Sequence, residues 1–319
     1  MVARSWKLTA LIGSLKRFGV ILSLAMLMSG GSDLRADDKY ALSHWHKQQL
    51  SDVFFSEGAG SGDFNKDGKT DIVAGPFWYE GPDFKKRHTF YDDSRTFTRK
   101  KADGTDEKIP GFEGALGTKN TYSDNFFAYT HDFNGDGFPD ILILGFPGKE
   151  ARLYLNPGTH DDKPWPMHIV ADVVDNESPV FTDITGDGKP ELVCNSQGCF
   201  GYATPDWQNP AAPWKFHAVS PNNNYGRFNH GLGVGDVNGD GTDDLVLGSS
   251  SRFQGPVVWL QSPSGQFTQK VLPLKTLDYK EEDMGLLLFD ADGDGDNDLY
   301  VVRGSNQHDP GSPFYQDIL

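Results

Sequence analysis

Cysteine is scarce in this chain, which has two among its 319 residues, Cys194 and Cys199. No Cys/His cluster has the spacing of a zinc site, and no CxxCH haem motif occurs. The two cysteines flank the predicted hairpin loop 195–198. An exported chain could bridge them across that loop, and two free thiols are the alternative. The sequence thus excludes cysteine-based zinc and haem sites and leaves the disulfide open.

Basic residues are also few. Lys and Arg total 29 against 45 Asp and Glu, so the formal net charge is −16. A surface this acidic repels the phosphates of nucleic acid and the headgroups of anionic membranes. The sequence therefore predicts neither of these as a partner.

Long apolar stretches are absent, apart from one run near the N-terminus. Four basic residues before it and the small, polar residues 29–32 after it are typical of a secretory signal, and the run 18–28 is too short to span a bilayer. We predict cleavage after Ala36, with an uncleaved anchor as the alternative. Cleavage removes five basic residues and Asp33, which changes the net charge from −16 to −20. The mature chain is expected to be secreted, periplasmic or on the cell surface, with no later membrane span.

Helical periodicity of useful length is missing too, which argues against two-helix repeats. The chain contains no P-loop, no dinucleotide-binding fingerprint and no nucleophile elbow. These absences remove the common nucleotide-binding and serine-hydrolase classes.

What the chain does contain is a nonapeptide that occurs five times. The first copy is Asp63-Phe-Asn-Lys-Asp-Gly-Lys-Thr-Asp71, and the others begin at Asp132, Asp183, Asp236 and Asp290. Successive copies start 69, 51, 53 and 54 residues apart. A period near fifty residues is typical of solenoids, propellers or arrays of small units.

Each copy places side-chain oxygens at positions 1, 3, 5 and 9 and glycine at position 6. Such a loop can surround a hard cation of the size of Ca²⁺, and glycine permits the sharp turn. The apolar residue at position 12 distinguishes the loop from an EF-hand, and solvated Asx turns are the alternative interpretation. The predicted calcium ligands are Asp63, Asn65, Asp67, Asp71, Asp132, Asn134, Asp136, Asp140, Asp183, Thr185, Asp187, Glu191, Asp236, Asn238, Asp240, Asp244, Asp290, Asp292, Asp294 and Asp298. Sixteen of the 45 acidic residues occupy these positions, so metal binding explains much of the acidity.

A short aliphatic run follows every loop and predicts a strand buried on both faces. A second pair of strands is predicted further along each repeat. Four strands per fifty-odd residues form the blade of a β-propeller. The predicted fold is therefore an all-β propeller of about 4.5 four-stranded blades over residues 37–319. Its repeats are centred on 63–75, 132–145, 183–195, 236–248 and 290–302.

The repeated Asp-x-Asn-x-Asp-Gly-x-x-Asp pattern resembles the FG-GAP/VCBS repeat family, whose calcium-loop blades also occur in integrin α-subunit propellers. The resemblance covers roughly residues 43–319. It implies a calcium-stabilised propeller. The stretch that ends the chain resembles secreted members of the family in which further repeats follow. The third copy departs from the pattern at Thr185 and Glu191, which makes its site the least secure.

Two irregular segments bear on the ends and on the binding surface. The polar insertion 92–122 supplies either a binding surface or a tolerated surface loop. Residues 45–50 are predicted as a blade's last strand placed ahead of the first blade, and residues 315–319 as the opening of a further strand. We therefore expect a C-terminally truncated, open arc, unless 45–50 pairs with the fifth blade and closes a small ring.

The expected function is that of a non-catalytic adhesion or scaffold module for an extracellular protein or polysaccharide. A calcium-dependent polysaccharide lyase or glycoside hydrolase is the alternative, with His131 and His230 as acid/base candidates. Both histidines are also explained by packing beside the loops. Trp165 and Trp214 recur at matching positions, as do His168 and His217, and equivalent positions favour a shared packing role.

Overall fold

The structure, a computed structural model, describes residues 47–92, 95–114, 121–159, 161–227, 229–248, 256–271, 282–293, 295, 297–304, 309, 311–312 and 315–317. The predicted signal peptide, 1–36, lies outside them. The chain divides into two compact units, Met1–Gln49 and Leu50–Leu319, and every strand of the described residues lies in the second. No helix in the described residues is long and apolar enough to cross a membrane.

Every regular element among the described residues is a β-strand. The first sheet consists of β1 (Ala59–Gly62), β2 (Asp71–Ala74), β3 (Phe77–Tyr79) and β4 (Arg87–Thr89). A separate hairpin follows, formed by β5 (Thr96–Lys100) and β6 (Asp106–Pro110). The second sheet consists of β7 (Phe127–His131), β8 (Asp140–Leu144), β9 (Lys149–Tyr154) and β10 (Met167–Val174). The third consists of β11 (Val180–Thr182), β12 (Glu191–Ser196), β13 (Cys199–Thr204) and β14 (Lys215–Ala218). The fourth consists of β15 (Leu232–Gly235), β16 (Asp244–Leu247), β17 (Val257–Gln261) and β18 (Phe267–Val271), and β19 (Glu282–Phe289) pairs with β20 (Asp298–Gly304).

Strands follow one another in chain order across each four-stranded sheet, and all neighbours are antiparallel. This is the strand order expected of a blade. The all-β prediction with repeated four-stranded sheets is confirmed. The number of blades and the closure of a ring stay predictions.

The core lies between successive sheets. The second strands of the second, third and fourth sheets are the most buried, since every residue of β8, β12 and β16 is buried. In β8, Ile141 and Ile143 pack toward the first sheet while Leu142 and Leu144 pack toward the third. Alternation on a pleated strand sends neighbouring side chains to opposite faces, so an unbroken aliphatic run fits a strand covered on both sides. The prediction of strands buried on both faces is thus confirmed for these three.

The recurring tryptophans belong to this core. Trp165 is 5% exposed and lies 6.2 Å from the ring of Phe64. Trp214 is 6% exposed and lies 5.5 Å from the ring of Phe133. Each fills the same gap between one sheet and the loop of the preceding sheet. The predicted packing role of the two tryptophans is therefore confirmed.

The insertion contains an element that its polar composition did not suggest. Strands β5 and β6 form a hairpin whose side chains are mostly exposed. Opposite charges face each other across it, with Lys100 Nζ 2.7 Å from Asp106 Oδ1. Cross-strand charge pairs contribute modestly to pairing. Strand formation here depends on the partner strand rather than on hydrophobic alternation, which is why sequence patterning missed it.

Two predicted terminal strands are not formed in the described residues. Residues 47–50 have no strand assignment, while Trp45 and His46 lie outside the described part. Residues 47–49 are polar and exposed, so they bury nothing that would hold a strand in place. Residues 315–317 are not extended either, because Asp317 turns back toward β20 and accepts hydrogen bonds from the Arg303 amide at 2.9 Å and the Tyr300 hydroxyl at 2.6 Å.

The two cysteines are free thiols. They lie on paired strands, but Cys199 faces Ser196 and Cys194 faces Gly201. The register therefore places them diagonally, at a separation where Cα atoms lie about 7–8 Å apart. That exceeds the usual reach of a disulfide.

Candidate metal centres

All five repeated loops connect the first strand of a sheet to its second. Position 1 directly follows the first strand and position 9 opens the second, as in β1–Asp63 and Asp71–β2. The glycine at position 6 has positive φ in every copy, between 82° and 98°. That backbone conformation strains any residue with a Cβ, so the predicted role of this glycine is confirmed.

Hydrogen bonds inside the loop hold the oxygens of positions 1 and 3 inward. In the first loop the Asp67 amide donates to Asp63 Oδ1 and to Asn65 Oδ1, both at 3.0 Å. The Gly68 amide donates to Asp63 Oδ2 at 2.8 Å. Loops two and four repeat these three bonds to within 0.2 Å. The same frame in three loops shows that the residue types, rather than the surroundings, determine the local geometry.

The ninth-position carboxylate has a different environment from the others. Asp71, Asp140 and Asp244 are fully buried. One oxygen accepts the amide of position 2, as in Phe133 N to Asp140 Oδ2 at 2.9 Å. The other accepts an amide at or just beyond the end of the third strand, as in Asn156 N to Asp140 Oδ1 and Gln261 N to Asp244 Oδ1, both at 2.7 Å. This carboxylate therefore ties the loop to the third strand, a structural role that the sequence prediction did not include.

The electrostatics of this position are unfavourable without a cation. Burial raises the pKa of Asp140 to about 7, and the charges of Asp136 and Asp132 add to the rise. Burial likewise raises the pKa of Glu191 to about 7. Both shifts show that the protein alone does not fully compensate a negative charge here.

The third loop differs for a reason visible in the third sheet. Where the first, second and fourth sheets supply a backbone amide at or just beyond the end of the third strand, this one has Pro205, which has no N–H. Glu191 is one methylene longer than Asp and accepts the Ile184 amide at 3.1 Å and the Thr185 amide at 3.3 Å. Its second oxygen lies 3.4 Å from the Thr185 hydroxyl. In the third loop the position-3 oxygen of Thr185 thus contacts the position-9 carboxylate. In loops one, two and four the position-3 oxygen instead accepts the amide of position 5.

The fifth loop brings three of its carboxylates together. Carboxylate oxygens of Asp290, Asp292 and Asp298 lie within 4.8 Å of one another. Asp294, the remaining predicted ligand of this loop, lies outside the described residues. The Ala291 amide donates to Asp298 Oδ2 at 2.9 Å, so position 9 keeps its bond to position 2.

The donor set fits a hard cation. Every predicted ligand offers oxygen, and carboxylates predominate, which is the chemistry preferred by Ca²⁺. A cation would also offset the charge that raises the ninth-position pKa values. Loops one, two and four share the same hydrogen-bonded frame, and the third loop fits least well.

Adjacent loops are joined by side chains that sequence reasoning missed. Asn156 Nδ2 donates to the Phe64 carbonyl of the preceding loop at 3.0 Å and to the Pro139 carbonyl at 3.1 Å. Gln261 Nε2 repeats this with Ile184 O at 2.9 Å and Asp243 O at 2.8 Å. We call Asn156 and Gln261 the amide clamps. Each clamp lies two residues after the residue that pairs with loop position 10, which is Tyr154 opposite Ile141 and Trp259 opposite Leu245. This shared position in the repeat is the sequence signal that could have identified them.

The two candidate acid/base histidines do not come together. His131 ends β7 beside its loop, within 5.3 Å of the Phe133 and Trp207 rings, and burial lowers its pKa. His230 precedes β15 at the opposite end of the strands, with Nδ1 3.1 Å from Glu177 Oε2. The geometry therefore offers no joint site for the pair.

Comparison with known proteins identifies the repeat. Residues 132–194 and 236–301 match the family model of the FG-GAP-like repeat. No curated protein sequence matches the chain.

Two solved structures are similar at low identity. One concerns specific recognition of non-reducing terminal N-acetylglucosamine by an Agrocybe aegerita lectin, with a TM-score of 0.42, 19% identity and coverage of 76% of this chain and 61% of that one. The other is the V. cholerae biofilm matrix protein Bap1, with a TM-score of 0.34, 17% identity and coverage of 67% and 28%. The chain thus spans less than two thirds of either neighbour, and at these TM-scores the likeness supports no functional argument.

Proposed function

Because this chain is an FG-GAP repeat protein, we propose that it is an exported, calcium-stabilised β-propeller that binds an extracellular protein or polysaccharide without catalysing a reaction. The observation that carries the proposal is the set of five oxygen-lined loops, each placed between the first and second strands of its sheet. The proposed propeller has about 4.5 blades in an open arc.

Calcium would be held chiefly by positions 1, 3 and 5 of each loop together with position 9. When bound, it neutralises the loop carboxylates. The chain's own hydrogen bonds from position 5 and 6 amides orient the position 1 carboxylate, as Asp136 and Gly137 do for Asp132 at 3.1 Å and 2.7 Å. Preformed loops of this kind bind calcium with little reorganisation.

The test is thermal melting of the chain in millimolar calcium and in excess EDTA. Binding to the native state alone stabilises it by mass action. We expect calcium to raise the melting temperature, with affinities of about 10⁻⁴–10⁻³ M, the range of extracellular calcium modules. Identical melting curves in calcium and EDTA would contradict the calcium site.

Catalysis is tested separately with calcium-loaded protein and a panel of acidic and neutral polysaccharides. We expect no new reducing ends and no unsaturated products. Turnover that disappears in His131→Ala or His230→Ala, while calcium binding is retained, would instead establish the lyase or hydrolase alternative.

A further inference from the structure

Three aromatic side chains form a cluster at the end of the second sheet opposite its metal loop. The rings of Tyr122, Phe126 and Phe146 lie 5.5–5.6 Å apart, centroid to centroid. Phe126 immediately precedes β7 and Phe146 follows β8. Tyr122 is 56% exposed, which is unusual for a large aromatic ring with neighbours to pack against.

A cleft with a volume of about 250 Å³ opens beside this cluster. Its lining includes Arg95, Asp124, Phe146, Lys149, Glu150 and Arg152. Of the three rings, Phe146 lines the cleft, and Tyr122 and Phe126 pack against Phe146. An aromatic ring beside a few charged and polar groups suits a small polar ligand.

The floor of the cleft is an arrangement of two arginines on one aspartate. Asp124 Oδ2 lies 2.6 Å from Arg95 Nη2 and 3.2 Å from Arg152 Nη1. Arg152 Nη2 also donates to the Asp124 carbonyl at 2.6 Å. Two covered atoms of this arrangement, Asp124 Oδ1 and Arg152 Nε, have no hydrogen-bond partner among the described residues. Arginine forks held in this way are preorganised, so they lose little entropy when they meet a ligand.

We propose that this cleft binds a pyranose ring of a polysaccharide, an inference that rests on the proposed binding function and specifies its ligand. A pyranose has a C–H face and a rim of hydroxyls. The ring of Phe146 suits the C–H face from within the cleft, and the exposed ring of Tyr122, 5.5 Å from Phe146, extends that aromatic surface beyond the cleft lining. Lys149, Glu150 and Arg95 offer donors and acceptors for the hydroxyls.

A protein partner fits this surface less well. A stable protein interface buries about 800 Å² on each side, whereas the cluster consists of three rings around one small cleft. The cleft matches the size of a sugar unit better than that of a protein patch.

The insertion contributes directly to the proposed site. It supplies Arg95, whose guanidinium lies 4.2 Å from the Phe112 ring centroid, and it supplies Tyr122. Of the two interpretations of this segment, binding surface and tolerated loop, the geometry favours the first.

The experiment measures binding of the full chain, in calcium, to an array of neutral and acidic glycans that includes cellulose, chitin and polygalacturonate oligosaccharides. Tyr122→Ala and Phe146→Ala are expected to weaken binding about tenfold or more, the usual effect of removing a central aromatic contact. Tyr122→Phe keeps the ring and should retain most of the binding. Phe289→Ala, which removes a 39% exposed aromatic side chain on β19, is the matched control and should change nothing.

Tyr122 is exposed, so its replacement leaves the fold intact, and melting curves of all variants verify this. Glycan binding that is unaffected by Tyr122→Ala and Phe146→Ala would overturn the site while the proposed binding function stands. No binding to any glycan on the array would overturn the sugar assignment. Loss of the calcium-dependent rise in melting temperature is a different failure, which belongs to the proposed function and not to the cleft.

Discussion

Asp140 shows how one carboxylate can serve both the fold and a cation. An ionised carboxylate offers about four lone-pair positions, and the backbone amides of Phe133 and Asn156 occupy two. The others can face a metal. At the residue scale the two roles can be separated, because Asp136 in the same loop is exposed and is not tied to the third strand.

The first prediction concerns Asp140→Asn measured in EDTA. The amide keeps the shape and one acceptor but turns an NH₂ group toward a backbone N–H, which is left without an acceptor. The unsatisfied group costs about 1–3 kcal/mol, but burial raises the pKa of Asp140 to about 7, so its charge also costs stability at pH 8 and Asn removes that cost. We therefore expect stability in EDTA at pH 8 not to fall, and we expect the variant to lose the gain in stability that the native chain shows when the pH is lowered from 8 to 6. Urea denaturation at pH 8 and at pH 6 measures both.

Asp136→Asn is the matched control. Its remaining side-chain oxygen can still accept the Phe138 amide, a bond of 2.8 Å in the native loop. Stability in EDTA should therefore change by less than about 0.5 kcal/mol, while the stabilisation by calcium shrinks. If Asp140→Asn keeps the gain in stability between pH 8 and pH 6 in EDTA, Asp140 is not the group whose titration causes it.

The second prediction concerns the thiol of Cys194. Burial raises its pKa to about 12, and the charge of Asp175 adds to the rise. Because the thiolate is the reactive form, native Cys194 should resist alkylation until the pH approaches that value. In the unfolded chain it should react around pH 8.5. Iodoacetamide labelling of Cys199→Ser at pH 9, with and without urea, followed by mass spectrometry, is the measurement. Rapid labelling of the folded variant would contradict the burial of this thiol.

At the scale of elements, the amide clamps explain how one sheet is held to the loop of its neighbour. Asn156 is 2% exposed and Gln261 is 5% exposed. Each donates from one NH₂ group to two carbonyls, one in its own loop and one in the preceding loop. The bonds to the preceding loop, at Phe64 O and Ile184 O, are buried, so each clamp satisfies an acceptor that would otherwise be left without a donor.

The third prediction is that Asn156→Ala lowers the free energy of unfolding by about 1–3 kcal/mol. The carbonyls of Phe64 and Pro139 lose their donor, and the junction between the first two sheets loosens. Denaturation monitored by tryptophan fluorescence reports on it, since Trp165 lies in the same junction.

Asn222→Ala provides the comparison for that measurement. Asn222 is also an asparagine whose side chain donates to a carbonyl, Gln197 O at 3.1 Å, but it is exposed. We expect a loss below about 0.5 kcal/mol. A loss as large as that of Asn156→Ala would remove the distinction between a buried clamp and a surface bond.

At the scale of the whole molecule, the formal charge of −16 raises the question of whether calcium acts by binding or by screening. The fourth prediction is that calcium raises the melting temperature well above the rise caused by the same concentration of magnesium. Magnesium requires near-ideal octahedral geometry and gives up its waters reluctantly. For sites with Kd near 10⁻³ M, 10 mM calcium adds about 1.4 kcal/mol per site. Differential scanning calorimetry at constant ionic strength measures both ions, and equal shifts would indicate screening alone.

The repeat made much of this molecule predictable. The family predicted from the nonapeptide is confirmed by the matches over 132–194 and 236–301. The antiparallel four-stranded sheets, the buried second strands and the packing of Trp165 and Trp214 also agree with prediction. The predictions of terminal strands at 45–50 and 315–319 were wrong over the residues described. Short polar ends carry no hydrophobic pattern that could distinguish a strand from a turn.

The sequence by itself determined the repeat, the strands that follow each loop, the turn glycines and the oxygen donors. These depend on residue type and on spacing within about ten residues, which is the range over which backbone conformation is decided locally. Tertiary structure alone decided which backbone amides donate hydrogen bonds to the ninth-position carboxylates and why Pro205 accompanies Glu191. It also decided which carbonyls the amide clamps contact. It also decided that Arg95 and Arg152 meet on Asp124 beside Tyr122. Those contacts join residues from different strands and sheets, and register and sheet packing, which no single repeat contains, place them together.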